Sequence, residues 1–206
     1  MEEGISIPFI PYEEIRKKAD EFLRDYHSDR SIPVPIEEII EFQLGLNIVP
    51  LPGLHRDLEL DGFVSSDLKD IFVNEAACDA YPTRYRFTLA HEVGHIFLHK
   101  HVFRKARFST FSEWKTFGNS IPEKDYAALE FQAYAFAGLV LVPKEHLEKL
   151  TDSYVKKILK EGISLNDNWD FAWDRIAARL AKDFEVSSEV IDRRLKYDKI
   201  FDKYRK

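Results

Sequence analysis

Cysteine is almost absent from this sequence: Cys78 is the only one among 206 residues. That excludes an internal disulfide and fits a reducing compartment. A basic surplus is absent too. The formal net charge is −6, from 30 Lys and Arg against 36 Asp and Glu, which argues against a dedicated nucleic-acid binder. Long hydrophobic runs are missing: the longest, Ala133 to Val142, falls short of the roughly 20 residues that cross a bilayer. The start, Met1-Glu2-Glu3-Gly4, is acidic where a secretory signal is basic. These absences point to a soluble, cytoplasmic protein that does not enter a membrane. There is also no internal repeat and no low-complexity segment. What remains is an ordinary globular composition, 45% hydrophobic and 32% charged, with enough chain for one sizeable core and a small appended subdomain.

The apolar pattern reads as helices, a small sheet, then helices again. After Pro11, the positions Ile15, Ala19, Phe22, Leu23 and Tyr26 recur at helical spacing and predict a first amphipathic helix. Ile32-Pro33-Val34-Pro35 breaks it, because proline disfavours helix at the residue before it. A second helix is expected from Pro35 to about Leu44, with Gly45 as its stop. Leu46 to Leu51 reads as a strand. Phe63 to Ser66 and Ile71 to Asn74 flank the polar turn Asp67-Leu68-Lys69-Asp70 and read as a hairpin. Tyr81-Pro82-Thr83 opens a helix that runs to about His99. The aromatic-rich connection from His101 to Pro122 has no clear assignment; its length suits a lid, a substrate-contacting loop or plain surface. An apolar helix from about Glu123 to Val142 ends at Pro143, and the tail is helical again from about Ser164, with a break near Glu185. The order is α+β in character, divided as residues 1–150 and a C-terminal helical part, 151–206.

The chemistry concentrates in His91-Glu92-Val93-Gly94-His95, an H-E-x-x-H string inside the predicted helix. Histidines four apart lie one above the other on a helix face, so both rings can reach one metal ion. Glu92 falls beside that face, where a carboxylate can take a proton from an activated water. The flanks Phe87, Leu89, Ala90, Val93, Ile96, Phe97 and Leu98 make the helix apolar nearly all round, hence buried. Two imidazoles and a carboxylate buried there need partners. A zinc ion meets that need in one step; histidines hydrogen-bonded within a core are the plainer alternative. Gly94 costs about 1 kcal/mol against alanine in a helix interior and predicts close approach of another backbone or a substrate.

Zinc held by two histidines calls for a third protein ligand and an open position for water. His99 continues the series but lies about 6 Å further along the axis, which suits a residue behind the ligands. His101 stands where the metzincin pattern has its third histidine, yet Leu98 occupies that pattern's glycine position. Glu130 is the better candidate. It is a lone carboxylate in an apolar helix, with small neighbours Ala127, Ala133 and Ala137 that allow close packing against the motif helix. For the oxyanion donor, His99, His101, Tyr134 and Arg84 all remain open.

With these residues in hand, the chain resembles the ImmA/IrrE family of metallopeptidases. The match runs through Phe72-Val73-Asn74, Arg86-Phe87-Thr88-Leu89-Ala90 with the HEVGH string, and Glu130-Phe131-Gln132-Ala133-Tyr134-Ala135-Phe136-Ala137-Gly138 on to Leu141-Val142-Pro143. It implies a zincin-like fold, mostly helical with a small antiparallel or mixed sheet. It further implies His91, His95 and Glu130 as zinc ligands and Glu92 as catalytic base for peptide-bond hydrolysis. The family usually has asparagine where this chain has Tyr134, a departure that removes no ligand. The resemblance also implies a helix-turn-helix transcriptional repressor as the protein substrate. Extended peptides are expected to add as a strand along the hairpin edge near Ile71 to Asn74.

Residues 176–195 have some helix-turn-helix character. Ala181, Val186 and Ile191 fall where two such helices pack, and Arg193-Arg194 could face phosphate. Against this, Glu185 replaces the usual turn glycine, and Leu165 to Lys206 holds 10 Lys and Arg against 9 Asp and Glu. A helical packing or repressor-docking role is favoured over DNA reading. Two readings survive: a regulatory zinc peptidase, and a partner- or DNA-binding regulator whose zinc site is structural. Retention of Glu92 favours the first, since a structural site needs no base.

Overall fold

The structure is a computed structural model that describes residues 7–58, 60–106, 111–165 and 168–205; the acidic start Met1-Glu2-Glu3-Gly4 lies outside them. Helix α1, Tyr12–Tyr26, buries Ile15, Ala19, Phe22 and Leu23 as its spacing predicts. Helix α2, Ile36–Glu38, runs on into a wider π-type turn, Ile39–Gln43, and the chain leaves it through Gly45 at φ +64°. That left-handed conformation is one glycine adopts without a Cβ clash.

The sheet has three strands, β1 Asn47–Leu51, β2 Gly62–Val64 and β3 Asp70–Asn74, in the order β1-β3-β2. β1 pairs with β3 in parallel and β2 pairs with it antiparallel, so the sheet is mixed. Between β1 and β2 lies the short helix α3, Leu54–Leu58. The expected hairpin is present, but the expected free edge is not at residues 71–74. β3 is the central strand because β1 arrives on its other side by a crossover, as parallel neighbours must. Among the described residues, the open edge of the hairpin is β2.

A short helix α4, Glu75–Ala80, leads into α5, Pro82–Ala106, which carries HEVGH. Helical dihedrals fail inside α5 only at His99, at φ −121° and ψ 17°, where the sequence pattern places the helix end. Helix α6, Phe111–Ser120, occupies part of the connection that the pattern leaves unassigned. Helix α7, Glu123–Leu141, then packs along α5 and against α1. Gly94 is where the two backbones meet: a Cβ there would lie 3.0 Å from the Ala133 carbonyl oxygen and 3.1 Å from its Cα. Close approach of a second backbone, one of the two causes expected for this glycine, is thus the one observed.

Helix α8, Lys144–Lys160, falls in a stretch left unassigned after Pro143; Leu147, Thr151, Val155 and Ile158 form its buried stripe. α9, Trp169–Phe184, and α10, Ser188–Tyr197, follow, with Glu185 left-handed between them at φ 52°. Ala181, Val186 and Ile191 are all buried, within one hydrophobic cluster that runs from Ile15 to Ile200. Arg194 departs from its expected exposure to phosphate. Val190, Ile191 and Leu195 turn its face of α10 inward, leaving Arg194 3% exposed. Its Nη1 donates to the carbonyls of Gly138 and Val142, each at 2.8 Å, at the C-terminal end of α7. Asp198 accepts from Arg194 and from Arg16 of α1. Among the described residues, no single helix is long and apolar enough to cross a membrane; α7 is apolar because it is the central core helix.

Candidate metal centre

α5 and α7 bring three ligand-bearing side chains to one point. His91 Nε2 lies 3.0 Å from His95 Nε2 and 3.1 Å from Glu130 Oε2, and His95 Nε2 lies 3.5 Å from Glu130 Oε1. All three ligand atoms fall within 4.8 Å of one another, and among the described residues no other group of three or more does so. Glu92 is buried beside them, while His91 and Glu130 are part-exposed towards a cleft.

The hydrogen bonds behind His95 fix its tautomer. Gln132 Nε2 donates to the Pro8 carbonyl (3.0 Å), which can only accept, so Gln132 Oε1 faces His99 Nε2 at 2.9 Å. His99 Nε2 therefore carries a proton. Burial, first of all, pushes the His99 ring down to about 4 and holds it neutral near pH 7, leaving Nδ1 as an acceptor. That atom lies 3.2 Å from His95 Nδ1, which must donate. His95 is likewise neutral: burial and then the neighbouring His91 and His99 hold it well below the ordinary imidazole value. Its Nε2 thus presents a lone pair to the cluster. A neutral imidazole oriented through its other nitrogen is what a divalent cation takes as ligand. Two imidazole nitrogens and a carboxylate oxygen are also a donor set that suits zinc and leaves a position open.

Burial and mutual proximity move the groups of the cluster away from their ordinary titration. Burial opposes charge on His91, but the Glu130 hydrogen bond and the Glu92 and Glu130 charges outweigh it and raise its pKa. Burial pushes Glu92 up to about 8, with His91 opposing the rise and the Glu130 and Asp61 charges adding to it. A positive charge placed among these groups lowers the carboxylates and restores Glu92 as a base.

The cleft has a volume of about 340 Å³, with Glu92 and the three ligand candidates along it. β2 presses on the motif helix: a Cβ on Gly62 would lie 2.7 Å from Thr88 Cγ2, 2.9 Å from the Phe72 carbonyl oxygen and 3.4 Å from Glu92 Oε1. Of the proposed donors, His99 is fully buried behind His95. Arg84 is held at the rim, its Nε donating to Asp61 Oδ2 at 2.8 Å and its Nη2 lying 2.7 Å from Oδ1. Tyr134 lines the cleft, packed on Phe87 with the Arg193 guanidinium 4.5 Å above its ring. His101 is exposed and outside the cluster.

Sequence reasoning missed Tyr126, Gln132 and Gly62. Tyr126, one helical turn before Glu130, lines the cleft. Burial, then the Glu130 and Glu92 charges, push its phenol up to about 12, so it stays a donor. The i, i+4 spacing to Glu130 was a usable signal, as was a glycine opening a short strand.

A solved structure of a Mycobacterium tuberculosis transcriptional regulator shares the fold, with a TM-score of 0.55 and 14% identity; the match covers 90% of this chain and 52% of that one. The chain therefore spans about half the length of that regulator. No curated protein sequence matches it. The model of the Peptidase_M78 family, described as the IrrE N-terminal-like domain, matches residues 42–196. That span holds the whole sheet, the HEVGH helix and the Glu130 helix, and the chain belongs to the Peptidase_M78 family.

Proposed function

We propose that this protein is a zinc peptidase of narrow range that cuts one bond in a protein substrate. The observation that carries the reading is the convergence of His91 Nε2, His95 Nε2 and the Glu130 carboxylate in an open cleft beside Glu92. A structural zinc site is closed by four protein ligands, whereas a catalytic one keeps a position free. His91, His95 and Glu130 would hold the cation. When bound, zinc supplies Lewis acidity, polarising the scissile carbonyl and lowering the pKa of a water towards about 7. Glu92 takes the proton from the attacking water and passes it to the leaving amine. For the oxyanion donor, the Tyr126 hydroxyl lines the cleft one helical turn before Glu130 and stays protonated, whereas His99 and Arg84 are engaged elsewhere. An extended peptide adds to the open edge of β2, whose three residues all line the cleft.

The substrate we infer is a cytoplasmic helix-turn-helix transcriptional repressor, which makes the enzyme an anti-repressor. Support for this comes from family membership. The test is incubation of the zinc-loaded protein with the repressor encoded beside it. Cleavage at one site, stopped by chelator and by Glu92→Gln, is the expected result. Zinc-independent binding without cleavage sinks the peptidase reading in favour of a binding regulator.

A further inference from the structure

We propose that the apolar side of the cleft is a specificity pocket for a bulky apolar side chain, aromatic or branched aliphatic, on the residue flanking the bond to be cut. This rests on the peptidase reading above. The apolar wall begins at the ligands themselves. The Phe103 ring centroid lies 5.5 Å from that of His95, Phe117 lies 6.2 Å from Phe103, and Leu129 directly precedes Glu130. Trp114 of α6 packs on Phe63 of β2, with ring centroids 5.4 Å apart. Trp114 and Phe117 are half-buried, packed on the small apolar cluster of Val102, Phe103, Ile121 and Leu129 while still lining the cleft. A side chain beside the scissile bond is thus within reach of the rings.

Size and charge narrow the ligand. At about 340 Å³ the cleft sits at the small end of ligand pockets, which run from roughly 300 to 1,000 Å³. It has room for a single large side chain and its backbone. A small side chain makes fewer contacts with the apolar lining than a benzyl or isobutyl group does. Among the described residues that line the cleft, the carboxylates are already engaged: Asp61 is paired with Arg84, and Glu130 lies against His91 and His95. Glu92 is buried beside the ligands. Acidic side chains would meet these same three carboxylates, so they are disfavoured.

The test uses the full-length zinc-loaded protein and four N-acyl amino-acid hydroxamates with benzyl, isobutyl, methyl and carboxyethyl side chains, titrated calorimetrically. The expected result is that benzyl and isobutyl bind at least about tenfold tighter than methyl, with carboxyethyl weakest. Phe117→Ala should narrow the benzyl-to-methyl ratio to a few-fold. Equal affinities, a preference for methyl or carboxyethyl, or no binding by any of the four overturns the pocket. A peptide library digested in parallel separates the two claims. Cuts with no apolar preference at either flank overturn the pocket and leave the peptidase. A benzyl preference together with an uncut repressor supports the pocket and overturns the peptidase.

Discussion

The two halves of α7 treat buried polar groups in opposite ways. At the C-terminal end, Arg194 donates to two carbonyls and shares Asp198 with Arg16; the chain supplies the counter-charges itself. In the N-terminal half, Glu130 faces two imidazoles across distances of 3.1 and 3.5 Å. There His95 offers a lone pair and buried Glu92 is held protonated near neutral pH. The first arrangement is complete and ties α1, α7 and α10 together. The second, in the function proposed above, is completed by a cation from outside. Polar groups closed by protein partners build the scaffold, and those left converging on a cleft are available for chemistry.

Substitutions at the two ends should therefore fail differently. The largest effect is expected at Glu92. Glu92→Gln should slow peptide hydrolysis by about 10³-fold with bound zinc unchanged by elemental analysis. Glu130→Ala should instead lose zinc; if it binds zinc as tightly as the parent, the ligand set is wrong.

Next is the closed end. Asp198→Asn leaves two guanidinium groups facing a neutral amide and should cost on the order of 3 kcal/mol in denaturant unfolding, with zinc affinity at the other end unmoved. Burial opposes the Asp198 charge, but Arg194 and Arg16 outweigh it and hold the carboxyl below the ordinary value. A carboxylate depressed in the folded state lends stability above its unfolded pKa and loses it as pH falls through the folded one. The parent should therefore lose stability faster than Asp198→Asn below about pH 4. Parallel acid-unfolding curves would remove the ion pair from the account.

A smaller effect is expected behind the metal centre. Gln132→Leu removes the acceptor that fixes the His99 proton and, through it, the His95 tautomer. Zinc affinity should fall about 10- to 100-fold, with rate at saturating zinc largely kept. An unchanged affinity would make the chain from Pro8 to His95 mere packing. Least affected is Arg193→Ala, which loses an exposed contact over Tyr134 worth under about 1 kcal/mol; a large loss of thermal stability would show the α10 contact with the cleft wall to be misjudged.

Local rules made much of this legible. Helical spacing gave α1 and α7, turn chemistry gave the β2–β3 hairpin, and the cost of Gly94 announced a close backbone. H-E-x-x-H and a lone carboxylate in an apolar helix named three side chains whose ligand atoms the fold brings together. What stayed hidden depends on contacts distant in sequence. The seating of β1 beside β3 made β2 the edge, and nothing within either strand says so. Arg194 looked exposed because it is charged and adjacent to Arg193, while the neighbours Val190, Ile191 and Leu195 already placed it on the buried face. α8 was readable from its four-residue stripe but lay behind Pro143, which was taken only as a stop. Tyr126 and Gln132 gain their roles from Glu130 and His99, and only the α5–α7 packing brings Gln132 to His99.

The most direct test of the account compares initial rates of peptide hydrolysis by the parent and by Glu92→Gln at equal, verified zinc occupancy. The account predicts a rate about 10³-fold lower for Glu92→Gln with zinc content and fold intact. Equal rates at equal occupancy would contradict it, because the cluster would then act without the carboxylate placed beside it.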